Sequence, residues 1–147
     1  MLQWASKHNN IRIIKQLLKN NIDHVETEYS IINAITENNV KVLKLLLKDE
    51  RFDPAFNNNY PIRLATKLNL KKCTYELLKN NKVDPSFNNE TLSHAIKNNN
   101  PVILKLLLKD KRINPSVDNN SALHYAEKHG YKKIQHILKQ DYRFILT

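Results

Sequence analysis

The stretch Ser121-Ala-Leu-His-Tyr-Ala-Glu-Lys-His-Gly130, followed by Lys132-Lys-Ile-Gln-His-Ile-Leu138, decides the fold because its spacing returns along the whole chain. Ala126 is the last of five alanines, after Ala5, Ala34, Ala65 and Ala95, at intervals of 29, 31, 30 and 31 residues. Three places before each stands an apolar residue: Leu2, Ile31, Ile62, Leu92 and Leu123. Four places after come Asn9, Asn38, Asn69, Asn99 and Gly130. Eight after come Ile13, Val42, Cys73, Ile103 and Ile134, and twelve after comes leucine each time: Leu17, Leu46, Leu77, Leu107 and Leu138. Matched columns of this kind define an internal repeat.

Each column has a physical meaning. The segment from about Leu92 to Lys97 is too short to hold a helix alone and predicts one that depends on its neighbours. The Asn/Gly column ends it, since these residues enter the left-handed conformation most readily. Asn10, Asn39 and Asn100 then predict N-caps for a second helix, and Pro101 sits at a first helical position where its missing N–H costs nothing. Along that second helix Val42, Leu43, Leu45, Leu46 and Leu47 form the buried face, and Lys41, Lys44 and Lys48 the solvated one. Asp53-Pro54, Asp84-Pro85 and Asn114-Pro115 stop it. The runs Asn57-Asn58-Asn59, Asn88-Asn89 and Asn119-Asn120 are expected as exposed turns projecting from the stack. One helix pair cannot bury both its apolar faces, so the pairs must stack, each touching only the next. The expectation is an all-α solenoid of about five stacked helix-turn-helix units in a single domain spanning residues 1–147. Repeat 1 covers 1–28 and is incomplete at its start, followed by 29–59, 60–89, 90–120 and a terminal repeat or cap at 121–147. Trp4 and the segment Tyr142-Arg-Phe-Ile-Leu146 are expected to close the two ends.

The 147 residues, 41% of them hydrophobic, suffice for a buried core. No apolar run approaches the ~20 residues that cross a bilayer, so no membrane role is expected. The single cysteine, Cys73, excludes an internal disulfide and fits a reducing, cytoplasmic compartment. With 24 basic against 14 acidic side chains, the net charge of +10 suits acidic partners, whether protein or nucleic acid. Because the excess is nearly all lysine and accompanies abundant asparagine and isoleucine, AT-rich coding is the preferred explanation of the charge.

The Ser121–Leu138 stretch resembles the ankyrin signature TPLHxAxxxGxxxxVxxLL, and the resemblance extends over essentially the whole chain. The segment Leu106-Leu-Leu-Lys-Asp-Lys-Arg-Ile-Asn-Pro-Ser116 resembles the Lys/Asn-rich ankyrin proteins of giant DNA viruses of amoebae, mimivirus-like in character. The period is shorter than the family's ~33 residues, and the TPLH element is degraded to Tyr60-Pro-Ile-Arg and Thr91-Leu-Ser-His. The connections are accordingly expected as projecting loops or short β-hairpins. What the resemblance implies is a non-enzymatic protein–protein interaction module, gripping its partner through a concave face built of loop tips and first helices. Carried over by position, that face comprises Lys7 and His8, Thr36 and Glu37, Lys67 and Leu68, Lys97 and Asn98, Lys128 and His129. Four units place lysine in one column, which suits a partner with an acidic surface. The alternative is a basic repeat protein that binds nucleic acid or another polyanion. A viral protein acting on host factors in the cytoplasm is the corresponding biological expectation.

Catalytic patterns are not found. There is no HExxH, no CxxC, no phosphate-binding glycine loop and no nucleophile elbow. His124 and His129 lie five apart, a poor spacing for two metal ligands on one helix face, and the expected cofactors and metals are none. Cys73 fills a column held elsewhere by Ile or Val and is expected as a buried apolar substitute. Phe56, Phe87 and Val117, next to the asparagine runs, are either binding anchors or side chains folded back on the neighbouring repeat, the second reading being preferred.

Overall fold

The computed structural model describes residues 1–141 and Arg143; the rest of the segment 142–146, expected to close one end, lies outside the described residues. Among the described residues the secondary structure is helical, with no strand. The chain forms two compact units, Met1–Val83 and Asp84–Thr147. In the first, α1 (Leu2–Lys7) pairs with α2 (Ile11–Leu17), α3 (His24–Thr36) with α4 (Val40–Leu46), and α5 (Phe56–Lys67) with α6 (Lys71–Leu78). Helix α1 packs on α3, α3 on α5, and α4 on α6. In the second unit a 3-10 turn (Phe87–Asn89) leads into α7 (Glu90–Lys97), paired with α8 (Pro101–Leu108), and α9 (Val117–Lys128) pairs with α10 (Lys132–Gln140). There α7 packs on α9 and α8 on α10. First helices thus lie beside first helices within each unit, and second beside second for α4 with α6 and α8 with α10, the stacking that the repeat columns require.

The columns are the core. All five alanines are fully buried, and so are Ile31, Ile62, Val42, Cys73, Ile103, Ile134, Leu46, Leu77, Leu107 and Leu138. Each large aliphatic side chain so buried contributes about 1.5–3 kcal/mol, which stabilises helices of six to thirteen residues that would fray in isolation. The first pair departs slightly: Ile13 and Leu17 are half-buried, and Ile14 takes the interior position.

Every first helix ends the same way. Asn9, Asn38, Asn69, Asn99 and Gly130 have φ of 54°, 52°, 60°, 47° and 69°. The next amide bonds back to the alanine carbonyl: Asn10 to Ala5, Asn39 to Ala34, Leu70 to Ala65, Asn100 to Ala95 and Tyr131 to Ala126, at 2.7–2.9 Å. This is the 6→1 bond of a Schellman motif, and it makes the alanine column both a packing contact and a hydrogen-bond acceptor. Asn10 and Asn100 cap the second helices, accepting from the amides of Ile13 and of Val102 and Ile103. Asn39 does not. Its amide donates instead to the carbonyls of Ser6 and Lys7 at the end of α1, tying repeat 2 to repeat 1.

Of the two forms expected for the connections, projecting loops or short β-hairpins, no hairpin is found among the described residues. Pro54, Pro85 and Pro115 are buried, and the preceding Asp53, Asp84 and Asn114 each accept a bond from the amide two residues on. The polar runs that follow are wound left-handed: Asn57, Asn58 and Asn59, then Asn88 and Asn89, then Asp118, Asn119 and Asn120 all have φ between 48° and 61°. A hairpin needs extended backbone, which these residues do not adopt, so the chain reverses within a single left-handed turn and enters the next first helix at once. Asn120, expected as exposed, is buried.

A column absent from the sequence reading joins the pairs. Asp49, Asn80, Asp110 and Asp141 recur in register, and Arg51, Lys82, Arg112 and Arg143 stand two places after them. The side-chain oxygen of each accepts from the amide two residues on. From that turn the Arg51 guanidinium donates to the carbonyls of Leu18 and Asn20 at the end of α2, both at 2.6 Å. Arg143 likewise reaches the carbonyls of Leu108, the last residue of α8, and of Asp110 and Ile113 beyond it. Carbonyls left over at a helix C-terminus are thereby satisfied by the following repeat.

Candidate functional site

All ten residues expected on the binding face are exposed. In the first unit Lys7, Thr36 and Lys67 end α1, α3 and α5, with His8, Glu37 and Leu68 as the cap residues that follow. In the second unit Lys97 and Lys128 end α7 and α9, followed by Asn98 and His129. The column is therefore the C-terminal edge of the first helices, where a cation is favoured by the helix dipole whatever else it does. Thr36 lacks that charge and turns its hydroxyl back onto the carbonyls of Ile32 and Asn33.

Two of the ten carry an unexpected aromatic partner. The His8 ring stacks on Trp4 at 4.4 Å between centroids, and the His129 ring on Tyr125 at 4.0 Å. In both, Nδ1 lies 2.8–2.9 Å from the backbone carbonyl of that aromatic residue. A carbonyl only accepts, so Nδ1 is the donor in both contacts. Trp4, expected to seal an end, is half-exposed in this stack rather than buried. Tyr131 adds to the second cluster, 5.6 Å from His129 and 6.3 Å from Tyr125.

The second unit holds a cleft of about 310 Å3 between α7 and α9. Its floor is Leu92, Ile96 and Ala122, its walls are Val117 and Tyr125, and Lys97 stands on the rim among Asn88, Ser93, Asp118 and Ser121. The structure thus brings Lys97 together with Tyr125, and through the ring stack with His129. Sequence reasoning missed Tyr125 and Ile96 because it took only the two residues before each Asn/Gly position. The i, i+4 pairing of Tyr125 with His129 was the available signal. Of the loop residues, Phe56 is folded inward and buried, whereas Val117 is half-buried and lines this cleft.

Cys73 is fully buried, its Sγ 3.5 Å from the Asn38 side-chain oxygen. Burial, with a smaller contribution from the Glu76 carboxylate, pushes its thiol up to about 11, so no thiolate is available near neutral pH. Among the described residues no group of three or more His, Cys, Asp or Glu is placed to hold a metal ion, and no helix is long and apolar enough to cross a membrane.

Helix pairs closed by Schellman turns, stacked through buried alanines and aliphatic residues, define a helical repeat protein. The ankyrin-repeat family model, in three copies, matches residues 62–145, more than half the chain. The chain belongs to the ankyrin-repeat family, whose repeats are generally protein–protein interaction modules and typically not enzymes. Neither a curated protein nor a solved structure matches it.

Proposed function

We propose that the chain is a protein-binding module and that the first-helix face of its repeats holds a segment of a partner protein. The observation that carries this is the cleft between α7 and α9, where an apolar floor of Leu92, Ile96 and Ala122 sits beneath Tyr125 and the Lys97 rim. Pockets that orient a ligand combine a largely apolar lining with a few placed polar groups, and tyrosine is a frequent anchor in protein interfaces. Selection of random displayed peptides on the full chain tests the reading. The expected peptides lose about tenfold in affinity, roughly 1.4 kcal/mol, on Tyr125→Ala or Lys97→Glu and keep it on Lys109→Glu. Recovery only of peptides indifferent to Tyr125 and Lys97 sinks it.

The net charge of +10 supports a second reading, binding of nucleic acid or another polyanion. Its signature is an affinity falling with salt at a log–log slope near −0.9 per phosphate contact; a flat response ends it. The resemblance of the Leu106–Ser116 stretch to viral ankyrin proteins supports extending the main reading to host factors in the cytoplasm. Imaging the tagged chain in eukaryotic cells checks this, and exclusive residence in another compartment overturns it.

A further inference from the structure

The solvated face of the second helices in the first unit is not uniformly polar. Ile11 of α2, Leu45 of α4 and the α4 cap residue Leu47 are half-buried against the core, and their remaining surface lines a groove of about 580 Å3. Around them stand Lys15, Lys41, Lys44, Lys48 and Lys79, with Glu76 as the single acidic residue of the lining. Glu76 is already engaged, 3.3 Å from the Lys44 ammonium and 3.4 Å from that of Lys79. Among the described residues no ion pair engages Lys15, Lys41 or Lys48. The groove therefore presents an apolar strip flanked by three uncompensated cations.

Lysine on a helix exterior is ordinarily just solvated, but a solvated face does not need aliphatic side chains at its centre. The combination recurs in the second unit with different residues. There Val102 and Ile137 lie in a groove of about 390 Å3 beside Lys105, Lys132, Lys133 and His136. Val102 is 44% exposed.

We infer that the second-helix face of the first unit is a docking groove for an acidic amphipathic peptide segment of a partner protein, distinct from the first-helix face and independent of it. Apolar side chains of the segment lie on Ile11, Leu45 and Leu47, and its carboxylates meet Lys15, Lys41 and Lys48. Charge complementarity selects an acidic occupant, and the aliphatic strip selects a peptide over a phosphate backbone. A single-stranded nucleic acid would want aromatic side chains for its bases, and the groove lining has none. Glu76 on the floor would also repel a continuous row of phosphates. A bilayer surface does not enter a groove, so anionic vesicles serve as a control.

The test uses the full chain and three labelled twelve-residue peptides, read by fluorescence anisotropy. One carries interspersed glutamates and leucines, the second has every leucine replaced by serine, and the third every glutamate by glutamine. The first is expected to bind at least about tenfold tighter than either of the others. Lys41→Glu/Lys48→Glu is expected to remove that advantage, and Lys97→Glu to leave it unchanged. Methyl NMR shifts should localise to Ile11, Leu45 and Leu47. Failure of all three peptides to bind, equal binding of the leucine-free peptide, tighter binding of a twelve-nucleotide single strand or of anionic vesicles, or indifference to the double substitution each overturns the inference. Because Lys97 reports on the first-helix face and Lys41 and Lys48 on this one, failure of either proposal leaves the other readable.

Discussion

Arg51 and Asp49 form a closed ring of contacts: Nε meets one carboxylate oxygen at 2.9 Å and Nη2 the other at 2.6 Å, while the Arg51 amide donates to the same carboxylate. The carboxylate fixes the plane of the guanidinium, and the guanidinium hands its remaining N–H groups to the carbonyls of Leu18 and Asn20 in the preceding repeat. Arg143 and Asp141 repeat the device against the end of α8. A planar fork with donors on both edges is needed for this, and lysine has no such fork. Arg143→Lys is therefore expected to cost about 1–2 kcal/mol, the scale of lost charge-assisted hydrogen bonds, seen as a lower urea midpoint. Arg51→Lys, at a more exposed site, should shift the midpoint in the same direction by less. Unchanged midpoints in both would show the clasps to be incidental.

The same pairs set a pH dependence. Hydrogen bonding to Arg51, Arg112 and Arg143 holds the Asp49, Asp110 and Asp141 carboxyls below their ordinary range, and Ser86 does so for Asp84. A carboxyl depressed in the folded state binds fewer protons there than in the unfolded chain. Its stabilisation is present above the unfolded value near pH 4 and is lost as pH falls through the lower folded value. Thermal melts should therefore lose stability from about pH 4 downward. The loss should be shallower in Asp49→Asn/Asp110→Asn, which starts lower at pH 7; parallel curves for the two proteins would refute the assignment.

Helix termination should respond to backbone preference alone. A side chain at Gly130 would meet nothing within 4 Å, so its φ of 69° is the only constraint there. Gly130→Val is expected to lose about 1–2 kcal/mol, the left-handed penalty for an ordinary residue. Asn99→Gly should hold or gain stability, and Asn99→Ala should lose about 1 kcal/mol. Guanidinium titrations rank the three, and Asn99→Ala outranking Asn99→Gly would contradict the motif.

Cys73 should behave as a hydrocarbon. In the native protein a thiol reagent is expected to react only as fast as the chain opens, and Cys73→Val should change stability by less than about 1.5 kcal/mol. Rapid labelling under native conditions would show that the thiol is accessible.

Much of this was legible in the sequence. The alanine, aliphatic and Asn/Gly columns located the helices, their buried faces and their ends, because packing and termination each demand a narrow choice of side chain at a fixed phase. The connections were harder. Runs such as Asn57-Asn58-Asn59 signal a turn but not its hand, and asparagine is compatible with either sign of φ. The Asp-x-Arg column was in plain view at Asp49, Asp110 and Asp141, yet its second member, Asn80-Asn81-Lys82, and the corresponding Asn20-Asn21-Ile22 of repeat 1 blur it. The ten expected surface residues are exposed as a column should be. The cleft beside Lys97 escaped notice because it is made by side chains from two helices, and only packing reveals which of them leave space between.

Of the 21 asparagines in the chain, eleven occupy left-handed backbone, and Asn10, Asn80, Asn100 and Asn114 accept bonds from amides just downstream. A composition rich in asparagine and holding a single glycine thus meets a fold whose recurring demand is for residues that tolerate positive φ. Recoding this protein toward a balanced composition would have to exchange these asparagines for glycine and little else, so its skewed alphabet is built into its joints.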